Sequence, residues 1–325
     1  MNGLKRLAVA MTAVLACGMA VPAALAQSDY PNRPVRLVVG FPPGSSADIA
    51  ARVVGSRMTA LLGQQVVVES KPGAGSSIAA EQVARADKDG YTLFMLSSAN
   101  VTNEAINPKL PFNIVKDFAP IALVNTTAVI LVVHPSTGVS NLKDLIALAK
   151  SKSGELNYAS TGVGTAPHLS GELLSQRAGI KIQHVPYKGS PEAATDLLAG
   201  RVSMMFSPAS AVVAQAKAGS LKVLATATGK RLGILPDVPT MAEAGMPDFE
   251  TSIWFGLVVP VGTPRPIIDK LAKAVADSTS APEVAKAWEP QGILPLSGGP
   301  DEFARHIASE IKRWGEVAVS AGLKK

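Results

Sequence analysis

The chemistry-bearing residues of this 325-residue chain are few. Its four histidines, His134, His168, His184 and His306, are never four apart and never sit in an H-E-x-x-H frame, so no metal site is expected. No G-x-S-x-G elbow occurs, which leaves a hydrolase of that type without its nucleophile. Ser97, Ser98, Ser207 and His168 could still converge as nucleophile and base, although polar lining of a crevice explains them as well. The recurrent feature is a glycine- or proline-bearing turn followed by a helix start. Such turns occur at Phe41-Pro42-Pro43-Gly44-Ser45-Ser46-Ala47-Asp48, at Lys71-Pro72-Gly73-Ala74-Gly75-Ser76-Ser77, at Ser160 to His168, and at Tyr187-Lys188-Gly189-Ser190-Pro191. Helix N-termini present unpaired N–H groups and partial positive charge, so together these turns suit a carboxylate or phosphate held without a cationic side chain.

Each turn alone also reads as ordinary structure. Ser46, Thr165 and Ser190 are good helix caps, Pro191 suits a first helical position, and Asp48 either caps its own helix or meets a ligand. The Gly73-Ala74-Gly75 turn is a weak dinucleotide fingerprint, with Ile78 where the third glycine belongs.

The elements that must position these turns alternate. β-Branched runs at Arg36–Gly40, Gln65–Glu69, Tyr91–Leu96, Ala128–His134, Leu156–Ser160, Ile180–Pro186, Val202–Phe206 and Leu221–Thr226 are separated by segments with helical spacing of apolar residues. That alternation predicts an α/β protein with largely parallel sheets, whose ligands sit beyond the carboxyl ends of the strands. Two extended apolar stretches, Ile121–Val133 and Thr251–Val259, are expected to cross between two lobes. The division is residues 27–124 plus 250–325 for the first domain and 125–249 for the second. Phe303, Ile307, Ile311 and Trp314 give the last helix one buried face.

Composition narrows the function classes. The chain is 47% hydrophobic and 5% aromatic, too poor in aromatics for a base-stacking platform, and its basic residues form no stripe, so nucleic acid is not an expected partner. Lys5 and Arg6, the apolar run Leu7–Met19 and Ala24-Leu25-Ala26 describe an export signal over residues 1–26, cleaved after Ala26. Without it the net charge drops from +6 to +4. The single cysteine, Cys17, lies inside that signal; bulky Leu15 disfavours its use as a lipidated first residue. The exported chain therefore has no thiol or disulfide chemistry, and no later stretch is apolar for long enough to span a membrane.

At these residues the chain resembles the solute receptors of tripartite tricarboxylate transporters, the Bug family of periplasmic binding proteins. The resemblance is carried by Tyr30–Arg36 with Val39-Gly40-Phe41-Pro42-Pro43-Gly44 and Asp48, and by Lys71–Gly75, Asp117–Pro120, Gly164–Leu169 and His184–Gly189. Trp254–Leu257 and Pro260–Pro264 complete it, so that it spans essentially the whole chain after the signal. It implies a two-lobed Venus-flytrap protein that captures a small organic acid (a di- or tricarboxylate, an amino acid or a related acid) and delivers it to membrane permease subunits, as a monomer, without cofactor or catalysis. The contacts it implies are Phe41, Pro43, Gly44, Ser45 and Asp48; Ser97 and Ser98; Gly162, Thr165 and His168; and Tyr187, Lys188 and Ser207. Where Ser45 stands the family often has a second glycine, so the first loop either approaches its ligand less closely or donates a hydroxyl. An exported hydrolase or lyase using His168, and a receptor feeding a membrane sensor, are the alternatives.

Overall fold

The structure is a computed structural model that describes residues 30–107 and 109–320, the side chains of 317–320 excepted. The expected export signal lies outside the described residues. No helix among them is long and apolar enough to cross a membrane.

Alternation of β-branched strands and capped helices builds the first half. β1 (Val35–Val39), β2 (Val66–Ser70) and β3 (Thr92–Ser97) pair in parallel with β1 central. Both faces of β1 are covered, which is why its pattern is nearly continuous Val and Leu instead of alternating. Between them run α1 (Ser46–Leu62), stopped by Gly63 in the left-handed region at φ 70°, and α2 (Ser77–Ala84); α3 (Ser98–Ile106) follows β3 directly. A short α4 (Ile114–Asp117) leads into β4 (Phe118–Val133), whose 16 residues make it the longest strand.

Two sets of strands share β4. Phe118 to Ala128 pair antiparallel with β9 (Ser252–Pro260), and Asn125 to Thr127 also with β10 (Ile293–Pro295). From Val129 onward the partners become β7 (Met204–Pro208) and β8 (Lys222–Thr226). The switch falls between Ala128, opposite Ser252, and Val129, opposite Pro208. The chain crosses back at Thr251, whose N–H donates to the Ala227 carbonyl and whose Oγ1 lies 2.8 Å from Ser170 Oγ.

Beyond β4 the second set continues with β5 (Asn157–Ser160) and β6 (Gln183–Pro186), parallel to each other, with β5 parallel to β7. Its helices are α5 (Leu142–Ser151), α6 (Ala166–Ala178), α7 (Ser190–Leu198) and α8 (Ala209–Lys217). The chain ends in α9 (Arg265–Thr279), α10 (Pro282–Trp288) and α11 (Pro300–Ser320), which return to the first set. Phe303, Ile307 and Trp314 are buried as the spacing predicts, and Ile311 packs at the edge of the same cluster. β10, three residues long, is the strand that periodicity could not show.

Candidate functional site

The turns after β1, β3, β5 and β7, and the one before α7, open toward one crevice between the two sets of strands. The first turn is held by its own side chains. Gly44 takes φ 78°, and its N–H donates to Asp48 Oδ2 at 2.9 Å; Arg52 Nε donates to the same oxygen at 2.9 Å. Ser45 is the cap residue of α1, its Oγ accepting from the Asp48 N–H at 3.3 Å, so Ser46 is the first helical residue and not the cap. Ser97 spends its N–H and its O–H on Asn100 Oδ1, at 3.0 and 2.8 Å. The carboxylate of Asp48 thus organises its own loop.

Five helices start at the same cavity: Ser45 and Ser46 of α1, Ser97 and Ser98 of α3, Thr165 and Ala166 of α6, Ser190 of α7, and Pro208 just before α8 all line it. Thr161, Ala99 and Pro167 add to the wall, while Phe41, Ile253 and Phe255 give it an apolar side. No lining residue carries a charged side chain. The room inside is about 20 Å³, on the order of a single water. A negative group in such a place would lie at the positive ends of these helices in a poorly screened environment. Each helix end contributes about 0.3–1 kcal/mol, and up to about 2 when partly buried.

The expected contacts divide. Phe41, Ser45, Ser97, Ser98 and Thr165 line this cavity. Pro43 and Gly44 are exposed beside it, and Asp48, His168 and Ser207 are buried behind it. Gly162, Tyr187 and Lys188 line a second, outer cavity of about 420 Å³ together with Asn103 and Val163. Ser46 and Ser190 were legible as caps but not as lining; like Ser46, Ser190 is a first helical residue, the cap of α7 being Gly189. Ile253 and Phe255 were legible only as strand residues, and Pro208, the last residue of β7 and the cap of α8, carried no signal.

His168 does not face a serine of the crevice. Its Nδ1 accepts from the Gly164 N–H at 3.2 Å, and its ring stacks on His184 at 4.2 Å. His184 stacks in turn on Tyr158 at 4.9 Å and meets Ser160 Oγ at 2.7 Å. Tyr158 donates to Glu172 at 2.5 Å. Gly171 makes room for this column, since a Cβ there would fall 2.1 Å from the Tyr158 ring. Burial lowers the pKa of both imidazoles, for His168 against the pull of Glu172, and for His184, helped by His168, to about 4. Both rings are neutral at neutral pH. They brace the turn from Ser160 to Thr165, whose Gly162 N–H donates to Ser160 Oγ at 3.1 Å and whose Gly162 carbonyl accepts from Thr165 Oγ1 at 2.7 Å. Ser207 Oγ turns to the Pro208 carbonyl, and Tyr187 OH donates to Asp196 at 2.7 Å. No group of three or more His, Cys, Asp or Glu able to hold a metal ion occurs among the described residues.

Comparison with known proteins agrees with this architecture. Residues 50–323 match the family described as tripartite tricarboxylate transporter family receptor. The protein BugT of Bordetella pertussis is 36% identical over 326 residues, covering 100% of this chain and 99% of its own. Among solved structures, R. palustris Rpa4515 with adipate superposes with a TM-score of 0.87 at 34% identity, covering 90% of this chain and 98% of that one. MatC from Rhodopseudomonas palustris with bound malate gives 0.85 at 32% identity, covering 89% and 99%. The two-lobed fold is that of periplasmic binding proteins.

Proposed function

Because the chain belongs to the tripartite tricarboxylate transporter receptor family, we propose that it captures a small organic dicarboxylate between the lobes at the inner cavity, whose walls part to admit a ligand larger than the single water there is room for, and presents it, as a monomer in the periplasm, to membrane permease subunits. The observation that carries this reading is the convergence of five helix N-termini on a cavity lined by hydroxyls and apolar side chains and by no charged one. An anion is the ligand such a cavity stabilises, through neutral dipoles on both lobes at once. Adipate and malate, held by two of the similar structures, are the chemistry to expect.

The protein acts by binding without reaction. A carboxylate docks on the starts of α1 and α3, and the lobe formed by residues 125–249 swings against the lobe formed by 27–124 plus 250–325. The pivot is β4 at Ala128 and Val129, together with the return crossing at Thr251. Because both lobes touch the ligand only when closed, closure has the differential affinity that a population shift needs. Permease subunits then read the closed shape.

The test is calorimetric titration of the chain from Gln27 onward with malate, succinate and adipate, paired with native mass spectrometry of freshly purified protein. Saturable binding at one site, or a co-purified organic acid, is expected. Absence of both across the acids would end the proposal.

A further inference from the structure

The wall between the inner and outer cavities is built around a strained turn. Gly73, Ala74, Gly75 and Ser76 have φ of 141, 47, 58 and 77°, four positive values in succession, two of them on residues with a Cβ. Backbone of this kind persists only where its surroundings over-determine it. Ser76 is pinned against β1, since a Cβ on Gly40 would fall 1.9 Å from its Oγ. Asn103 of α3, 7% exposed, donates Nδ2 to the Gly75 carbonyl at 3.2 Å.

The second lobe closes on the same residues. A Cβ on Gly164 would fall 1.8 Å from Asn103 Oδ1, and one on Gly75 would fall 2.8 Å from the Val163 carbonyl. The seam also divides the elements it joins. In α3, Ser98 faces the inner cavity and Asn103 the outer; in the opposite loop, Thr161 and Thr165 face inward and Gly162 and Val163 outward.

We propose that Asn103 is the interlobe latch. It is a positioning residue that holds the strained 73–76 turn on one side and receives the side-chain-free backbone of Gly164 on the other, sealing the inner cavity from the outer. Its function rests on the receptor reading, because a seal matters to a protein that closes over a ligand. The contact itself exists without one. Glycine is required at 164 for space as well as for its φ of 78°. The three atoms nearest a Cβ at that position all belong to the Asn103 side chain.

Four proteins test the latch: wild type, Gly164→Ala, Asn103→Ala and the double variant. Each is titrated with malate and adipate and followed by hydrogen exchange over 73–77 and 161–165. Gly164→Ala is expected to weaken binding roughly tenfold or more and to speed exchange in both segments, although they lie on different lobes. Asn103→Ala costs a few-fold, about the worth of one hydrogen bond. The double variant should recover the share of the Gly164→Ala loss that the collision causes, because the colliding amide is gone, while the strain of an alanine at φ 78° remains. A double variant no better than Gly164→Ala, or faster exchange confined to 161–165, would overturn the latch. Should Gly164→Ala fail to fold, Asn103→Ala alone must still speed exchange in both segments. If wild type binds none of malate, succinate and adipate and no organic acid co-purifies, the receptor reading fails on that result, while exchange in the ligand-free proteins still decides the latch.

Discussion

At the scale of single residues, Asp48 and His184 show how a side chain next to a binding loop can serve it without touching a ligand. Asp48 is 3% exposed and its Oδ2 is already held by the Gly44 N–H and Arg52 Nε, so the cavity offers no carboxylate to an ammonium group. Aspartate should therefore bind at least about tenfold more weakly than malate or succinate, the price of desolvating an unpaired ammonium. Side-by-side calorimetry checks this, and equal affinities would return Asp48 to the ligand. His184 is packed between Tyr158 and His168, with Glu172 beyond them and Ser160 on its Nε2. Its folded pKa lies at about 4, below the ordinary 6.5, so the unfolded chain takes up the proton first as the medium acidifies. The stability that depends on the neutral ring is complete above pH 6.5 and is lost as the pH falls from there through about 4. Urea midpoints measured across that window should decline, and His184→Gln, which keeps a hydrogen-bonding partner for Ser160 but does not titrate, should flatten the decline. These roles were invisible in the sequence. A carboxylate at the third position of a helix reads as cap or as ligand contact with equal ease, and stacking between residues 16 apart exists only after β5, α6 and β6 have assembled.

Elements were far more legible than side-chain roles. Nearly continuous apolar runs marked β1, β3 and β4, and the residues 303, 307, 311 and 314 marked one face of α11, because burial writes its period directly into the sequence. What the period cannot carry is a partner chosen by polarity. Glu310 on α11 is 9% exposed and its Oε2 accepts from both Trp254 Nε1 of β9, at 3.0 Å, and Trp314 Nε1, at 3.1 Å. One carboxylate thus fastens the final helix to the strand that runs along the crossing. Truncating it leaves two buried indole N–H groups without an acceptor, so Glu310→Ala should lower unfolding free energy by about 2 to 4 kcal/mol. Chemical denaturation measures the loss, and a red shift of tryptophan emission in the native state would report that water has reached Trp254. A change below about 0.5 kcal/mol would mean that α11 is held by its apolar face alone. The caps show the same limit on a smaller scale: the sequence offered adjacent serines, and only the backbone turn at Gly44 decides that Ser45 is the cap and Ser46 the first helical residue.

Across the whole molecule, charge and binding are separated. Without residues 1–26, the expected export signal, the chain carries a surplus of about four positive charges, yet the cavity wall contains none of them, and the lysine of the Tyr187-Lys188-Gly189 turn is exposed at the outer cavity. Attraction between exposed charges fades over a screening length of about 8 Å at physiological salt, whereas an anion enclosed by N–H dipoles is shielded from counter-ions by the lobes themselves. The affinity of a receptor built this way should respond little to ionic strength. Raising the ionic strength from about 20 to about 200 mM should change the malate dissociation constant by less than about threefold, with sodium chloride and sodium methanesulfonate run in parallel so that competition by either anion shows as a difference between them. Lys188→Ala should slow association, reduce what salt dependence there is, and shift the dissociation constant by no more than about threefold. A tenfold or larger weakening with salt, removed by Lys188→Ala, would show that the ligand rests on the outer cavity and its exposed cation. The five helix starts would then be scaffolding for the loops and not the source of the affinity.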